Sequence, residues 1–186
     1  KAGDIMRGEA SRIADRESRD LLASKLRDTR EDAWRIGNEL FVITSLLDGN
    51  VRIERALTDV SRPLEDKVAV LNTLLGDQVH PMTMEIMTEV VKRRWSRAAD
   101  IANAVEDFGV DAMMYYADAT DSTLQVSIEL AELHSALLNT PVVRAKLYDE
   151  TVPSEARVKF FHELFDGKGL NKVTMRLAEH ATENLR

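Results

Sequence analysis

The chain has 186 residues and a net charge of −7, from 25 lysines and arginines against 32 aspartates and glutamates. The absence of cysteine excludes a disulfide framework, thiolate metal ligands and a thiol nucleophile. The acidic balance disfavours a nucleic-acid binder, and the short apolar runs and the lack of a secretory leader favour a soluble intracellular protein that does not cross a membrane. Low glycine, proline and aromatic contents favour helix over strand.

The predicted elements are all helices. Residues 1–5 precede a plausible native start at Met6, and we take them as an extension outside the native chain. Apolar residues then recur at helical spacing in a polar helix with Ile13, Leu21, Leu22 and Leu26, and in segments Asp32–Leu47, Ile53–Leu57, Pro63–Leu75, Pro81–Trp95, Arg97–Ala119, Thr123–Leu138, 141–148, 153–165 and 172–186. All four prolines stand at the start of a predicted helix, where the missing N–H is no loss. The chain is therefore predicted to be all-α.

The sequence contains an internal repeat. Shifting Leu40–Leu75 by 90 residues aligns it without a gap to Leu130–Phe165, with nine of 36 positions identical, against roughly two expected by chance. Two unrelated amphipathic helix pairs would explain the matching leucines. They would not explain why an Asp-x-x-x-Pro-x-Glu turn recurs at Asp59 and Asp149. A fixed period of this kind is typical of a repeated structural unit.

We therefore predict two tandem, internally duplicated helical bundle units. The first covers residues 6–119 and the second, a truncated copy, covers residues 120–186. The second copy has no counterpart to Arg97–Ala119, and its helical pattern reaches Arg186 without a cap. This pattern suggests that the chain was cut from a longer protein.

No residue pattern predicts catalysis, a cofactor or a metal site. The four histidines are far apart and form no His-x-x-x-His pair, so we interpret them as isolated surface side chains rather than zinc ligands; they are His80, His134, His162 and His180. The segment Asp166–Gly169 lacks the strand and the Lys-Ser/Thr ending of a phosphate loop. No Gly-x-Ser-x-Gly elbow is present for a nucleophilic serine.

Two local features remain as candidate binding elements. The basic cluster Lys92–Arg97 could contact phosphate or an acidic partner, but the favoured interpretation is favourable charge at a helix C-terminus, worth about 0.3–1 kcal/mol per group. The helix Pro81–Trp95 carries two apolar stripes, one with Met82, Ile86 and Val90, the other with Met84, Met87, Val91 and Trp95. Either the helix is buried centrally, which we favour, or one stripe lines a groove for a partner helix.

Several short stretches together resemble the delta subunit family of F-type ATP synthases, which is related to the oligomycin-sensitivity-conferring protein. These stretches are Met6-Arg7-Gly8 with Ser11-Arg12, Glu39-Leu40-Phe41, Leu46-Leu47-Asp48, Arg55–Asp59, Ser61-Arg62-Pro63, Lys67, Leu74-Leu75-Gly76, Arg94–Arg97 and Asp100-Ile101. The repeat is similar to that of long actinobacterial delta subunits, in which the helical N-terminal region is duplicated. The resemblance covers roughly Met6 to Arg186 and departs from the family in lacking its C-terminal domain.

The resemblance implies a six-helix bundle that sits on the catalytic head and holds N-terminal helices of alpha subunits. The family's C-terminal domain grips the b subunit. The chain would then be a non-catalytic stator subunit of the peripheral stalk, at the cytoplasmic face of the cell membrane without inserting into it. The alpha-binding groove would lie between the first and fifth helices, at Leu21, Leu22, Leu26, Met84, Met87 and Val91. The helix with Val173 and Met175 could equally provide it.

Two other classes of function stay open. A helical-repeat scaffold or adaptor of an unrelated complex would show the same 90-residue period. A small helical regulator that binds nucleic acid would need the basic cluster Lys92–Arg97 to meet phosphate.

Overall fold

The computed structural model describes residues 8–185, so the predictions for residues 1–5, Met6 and Arg186 lie outside it. Within this range every regular element is helical, and the all-α prediction is confirmed. The helices are α1 (Glu9–Asp28), α2 (Ala33–Asp48), α3 (Val51–Thr58), α4 (Leu64–Leu75), α5 (Pro81–Lys92), α6 (Asp100–Ala119), α7 (Thr123–Leu138), α8 (Pro141–Leu147), α9 (Ser154–Phe165) and α10 (Lys172–Glu183). None of the described helices has both the length and the apolar character needed to span a bilayer.

The helix starts follow local capping chemistry. Asn50 Oδ1 accepts a hydrogen bond from the N–H of Ile53 (3.2 Å) at the start of α3. His80 Nδ1 accepts from the N–H of Met82 (3.0 Å) at the start of α5, and Asn171 Oδ1 accepts from Val173 (2.8 Å) at the start of α10. Each cap satisfies an N–H that has no partner within its own helix.

The predicted extension of α5 to Trp95 is wrong, because the helix ends at Lys92. Arg93 has extended backbone angles (φ −82°, ψ 162°), and the Trp95 indole N–H donates to the Val90 carbonyl at 2.8 Å. The indole folds back onto the last turn of α5 and is only 7% exposed. It is therefore a second donor to a carbonyl of the last helical turn, which also accepts from the Arg93 N–H at 3.3 Å.

The described helices form two compact units, divided within the last turn of α6 between Tyr116 and Ala117. The core of the first unit is built around α5 and α6. Its fully buried side chains include Ile86, Met87, Val90, Val91, Ile101, Val105 and Phe108. At Gly109 of α6 an added Cβ would lie 2.6 Å from the Phe41 ring, so the missing side chain lets α2 approach α6 closely.

The second unit contains α7 to α10 and has a smaller apolar core. Its buried apolar side chains include Val126, Leu147, Phe161 and Val173. Among the residues of α7 only Val126 is buried, whereas Leu124 is 74% exposed. Within this unit α9 packs against α10, and hydrogen bonds from Arg157 and His162 join the two helices.

Candidate partner-binding surface

The structure divides the six predicted groove residues into buried and accessible ones. Leu22, Leu26, Met87 and Val91 are at most 4% exposed and belong to the core of the first unit, where they do not face solvent. Leu21 is 59% exposed, and Met84 is half-buried against the core. The α1/α5 surface therefore presents Leu21 and Met84 directly, above a layer of buried side chains.

The two apolar stripes of α5 lie mostly in the core. Every stripe residue except Met84 is buried, including Trp95 beyond the end of the helix. This agrees with the interpretation that α5 is a central helix, because a helix with apolar residues on most of its surface must be covered by neighbours.

Ion pairs join α1 to α5 at the exposed edge of the core. Lys25 Nζ lies 2.6 Å from Glu85 Oε1, and an Arg93 guanidinium nitrogen lies 2.8 Å from Glu17 Oε2. Because Glu17 pairs with Arg93 and Lys25 pairs with Glu85, α1 and α5 run antiparallel. Leu21 lies one helical turn from both Glu17 and Lys25. Exposed pairs of this kind contribute only about 0–1 kcal/mol each. Their main consequence is a surface on which an apolar side chain is flanked by charges of both signs.

The basic cluster Lys92–Arg97 is largely occupied by partners within the chain. Arg93 also pairs with Glu89 at 2.8 Å, and Arg97 pairs with Asp100 at 2.7 Å. Lys92 Nζ lies 3.8 Å from Glu89. These contacts give Lys92, Arg93 and Arg97 partners within the chain, and the interpretation of the cluster as favourable charge at a helix C-terminus stays a prediction.

The histidines include one buried side chain, which corrects the interpretation that all four lie at the surface. His180 is only 5% exposed, and its Nδ1 lies 3.1 Å from Asn184 Nδ2. The spacing of Val173, Leu177 and His180 would have placed His180 on the inner face of α10. Among residues 8–185, no group of three His, Asp or Glu side chains is placed to hold a metal ion.

His162 links α9 to α10. Its Nδ1 lies 2.8 Å from Asp166 Oδ1 and its Nε2 lies 2.8 Å from Glu179 Oε2. The hydrogen bond with Asp166, followed by that with Glu179, raises the pKa of His162 against the opposing effect of partial burial. Protonated His162 donates to both carboxylates and therefore connects the two helices.

Replacing His162 with glutamine is expected to lower the free energy of unfolding of the second unit at pH 6. The pKa of His162 is raised in the folded chain. The stabilisation from its two hydrogen bonds is therefore complete below the unfolded pKa of about 6.5 and disappears as pH rises through the folded-state pKa. The effect should stay below about 1 kcal/mol, because the imidazole is 37% exposed. Urea unfolding at pH 6 and 9 would check it, with the exposed His134→Gln variant as control; equal losses at both pH values would contradict the prediction.

A charged cluster that the sequence analysis did not single out lies between α1 and α6. Arg19 binds Asp111 through two hydrogen bonds, from Nε at 2.8 Å and from Nη2 at 2.9 Å. Its third nitrogen, Nη1, lies 3.3 Å from Asp15 and 3.8 Å from Asp107. The sequence does contain a signal for this cluster, which is the spacing of its charged residues. Asp15 lies four residues before Arg19, and Asp107 lies four residues before Asp111, so each pair shares one helix face.

A shallow cavity of about 280 Å³ lies on the second unit beside α9. Lys146 Nζ lies 4.8 Å from the centre of the Phe160 ring at this cavity. The guanidinium of Arg157, also in its lining, donates to four backbone carbonyls.

Comparison with known proteins relates the chain to one subunit of one enzyme complex, although no protein-family model matches it. The ATP synthase subunit delta of Bifidobacterium longum (strain NCC 2705) is 81% identical over 181 residues, covering 97% of this chain and 65% of that relative. The subunit delta of Bifidobacterium adolescentis is 72% identical over 181 residues, covering 97% of this chain and 66% of that relative. That of Streptomyces avermitilis is 31% identical over 159 residues, covering 86% of this chain and 58% of that relative.

The chain spans about 65% of the length of the Bifidobacterium longum relatives that it matches. The 81% identity is taken over 97% of the chain, a span that includes both helical units. The chain belongs to the family of ATP synthase delta subunits.

Proposed function

We propose that this chain is the helical region of a non-catalytic peripheral-stalk subunit, which helps to hold the catalytic head of an ATP synthase against the stalk at the cytoplasmic face of the membrane. The observation that carries the proposal is the 81% identity to ATP synthase subunit delta over 97% of the chain. The described helices also lack a span long and apolar enough for a bilayer, as a peripheral subunit requires. Such a task needs rigid helical packing and docking surfaces rather than reactive side chains.

The proposed partner of the α1/α5 surface is the N-terminal helix of an alpha subunit. An amphipathic helix could place an apolar side chain against Leu21 and Met84, where the core beneath is already packed. Its polar side chains would meet the pairs Lys25–Glu85 and Glu17–Arg93 at the two ends of the contact. The b subunit is the second proposed partner, mainly through the C-terminal domain that the family resemblance implies.

We also propose that residues 6–119 and 120–186 are tandem copies of one helical unit. In support, α7 and α9 begin and end 90 residues after α2 and α4, and α10 begins and ends 91 residues after α5.

The hydrogen bonds of the two proposed copies also correspond. Glu39 Oε1 accepts from the N–H of His80 (2.9 Å) and from the hydroxyl of Thr83 (2.7 Å). In the second unit Glu129 Oε1 accepts from Asn171 (3.0 Å) and Thr174 (2.7 Å), and these acceptors and donors are 90 or 91 residues further along the chain. Unrelated helix pairs would have no reason to share a set of part-buried hydrogen bonds at matching positions.

Replacing Leu21 with aspartate is expected to weaken binding of an alpha-subunit N-terminal peptide by at least about tenfold, because a carboxylate would be desolvated at the contact. Isothermal calorimetry with the corresponding Bifidobacterium longum peptide would measure it. Leu124→Asp, at an exposed leucine of the second unit, is the matched control and should leave the affinity unchanged.

The same titration distinguishes peptide binding at the first unit from peptide binding at the second unit. A loss confined to Leu124→Asp would place the peptide on the second unit and overturn the α1/α5 assignment. Absence of saturable binding to the chain extended to the full length of its relatives would overturn the proposed alpha-subunit contact as a whole.

A further inference from the structure

The cluster between α1 and α6 places three carboxyl groups around one cation. Asp15, Asp107 and Asp111 all approach the guanidinium of Arg19, and Asp111 takes its two shortest hydrogen bonds. One positive charge cannot balance three negative charges at such distances. Either the cluster carries an excess of negative charge in a half-buried site, or one carboxyl group holds a proton.

The hydrogen bonds of Asp15 indicate where that proton lies. Asp15 is 9% exposed, and its Oδ1 is buried and receives no hydrogen bond from a donor among the described residues. The carboxyl group of Asp107 lies within hydrogen-bonding reach of the Asp15 carboxyl group. If both groups were ionised, neither could donate a hydrogen bond to the other. A proton on Asp107 would supply the missing hydrogen bond to Asp15 and remove the repulsion between the two groups.

The electrostatic surroundings favour the same arrangement. Burial is the largest cause that raises the pKa of Asp107, to about 7, and the charges of Asp15 and Glu106 add to it, whereas Arg19 opposes it. Burial also raises the pKa of Asp15, against the attraction of Arg19. The Asp107 side chain is 40% exposed, so its proton can exchange with water.

The charged groups of the other helices that pack on α1 and α6 lie beside residues other than Asp15 and Asp107. From α5, Glu85 faces Lys25, and Arg93 and Glu89 lie near Glu17. From α2, the groups that meet α6 at Gly109 and Met113 are the apolar Phe41 ring and the backbone of Gly37.

We propose that Asp15 and Asp107 share one proton between α1 and α6, so that α1 is held firmly on α6 at acidic pH and is loosened when the proton leaves. The pair acts as a pH-sensitive contact within the first unit. The inference stands on the geometry of this cluster and does not depend on the proposed stator function.

The direction of the pH dependence follows from the raised pKa of Asp107 in the folded chain. An unfolded aspartate titrates near pH 3.9, so between about pH 4 and pH 7 the folded chain binds a proton that the unfolded chain has released. The stabilisation is complete below about pH 4 and is lost as pH rises through the folded value near 7.

The direct test is a carboxyl-carbon NMR titration of the 186-residue chain between pH 4 and 9. One resonance of the Asp15–Asp107 pair should titrate above pH 6, and the Asp107→Asn variant should remove that step. Ionised chemical shifts for both carboxyl groups already at pH 5.5 would overturn the proposal. Asp15→Asn serves the same purpose if Asp107→Asn does not fold.

Hydrogen exchange tests the consequence for α1. After correction for intrinsic exchange rates, protection of α1 amides should fall severalfold between pH 5.5 and 8 in the natural chain. Asp107→Asn should abolish this pH dependence, because the amide stays neutral and donates at every pH. Asp20→Asn, at an exposed aspartate of α1, should leave it unchanged. The same fall in Asp107→Asn as in the natural chain would contradict the shared proton.

Discussion

Replacing Phe41 with alanine is expected to lower the free energy of unfolding of the first unit by about 3–5 kcal/mol. The ring is 1% exposed and lies against Gly109 of α6, which has no side chain of its own to fill the space that the substitution leaves. The loss would be a large part of the about 5–15 kcal/mol that stabilises an ordinary domain.

Tryptophan fluorescence in urea can follow this loss selectively. The chain has two tryptophans, and both Trp34 and Trp95 belong to the first unit. The neighbouring variant Val42→Ala is a matched control, because Val42 is 65% exposed on the same helix and should change stability by less than about 0.5 kcal/mol. Similar losses for both variants would show that the contact of Phe41 with Gly109 does not determine stability.

Replacing Arg157 with methionine is expected to destabilise the second unit by about 2–4 kcal/mol, because buried carbonyls would lose their donors. The residue is 6% exposed. It donates to Thr182 and Glu183 at the end of α10, both at 3.0 Å, and to the carbonyls of Asp149 and Val152 before α9. Its charge also lies where the dipole of α10 favours a cation.

Circular dichroism and hydrogen exchange of α9 and α10 would measure this effect, whereas tryptophan fluorescence should report an unchanged first unit. Arg157→Lys should recover part of the loss, since a lysine can reach one acceptor. The first unit offers a precedent in Lys67, whose Nζ donates to the Val91 carbonyl at 3.4 Å. Full stability of Arg157→Met would refute the role assigned to the guanidinium.

Local sequence chemistry was sufficient to predict most of the helices. Proline stands just before α4 and α9 and is the first residue of α5 and α8. These prolines and the Gly49-Asn50 stop after α2 mark helix ends because they act on the adjacent backbone. The end of α5 was missed, because Trp95 reaches back to the Val90 carbonyl and the helical pattern does not record this contact.

The candidate surface was less predictable than the fold. The sequence places Leu21 and Leu22 side by side, but only the packing of α1 decides that one is 59% exposed and the other 4%. The acidic cluster was missed for a similar reason. Asp15 and Asp107 are 92 residues apart, and their effect on each other exists only when α1 lies against α6.

By itself, the sequence determined that this protein is helical and that it resembles delta subunits of ATP synthases, and it predicts a repeat with a period of 90 residues. Helices are predicted from the spacing of apolar residues within a short segment. The repeat and the resemblance are predicted by comparing residue identities between segments, and neither step needs the packing of the helices. Only the tertiary structure decided which apolar side chains fill the core, which stay exposed and which carboxyl groups meet. Burial and electrostatic interaction depend on distances between helices that are far apart in sequence, and those distances are set by packing.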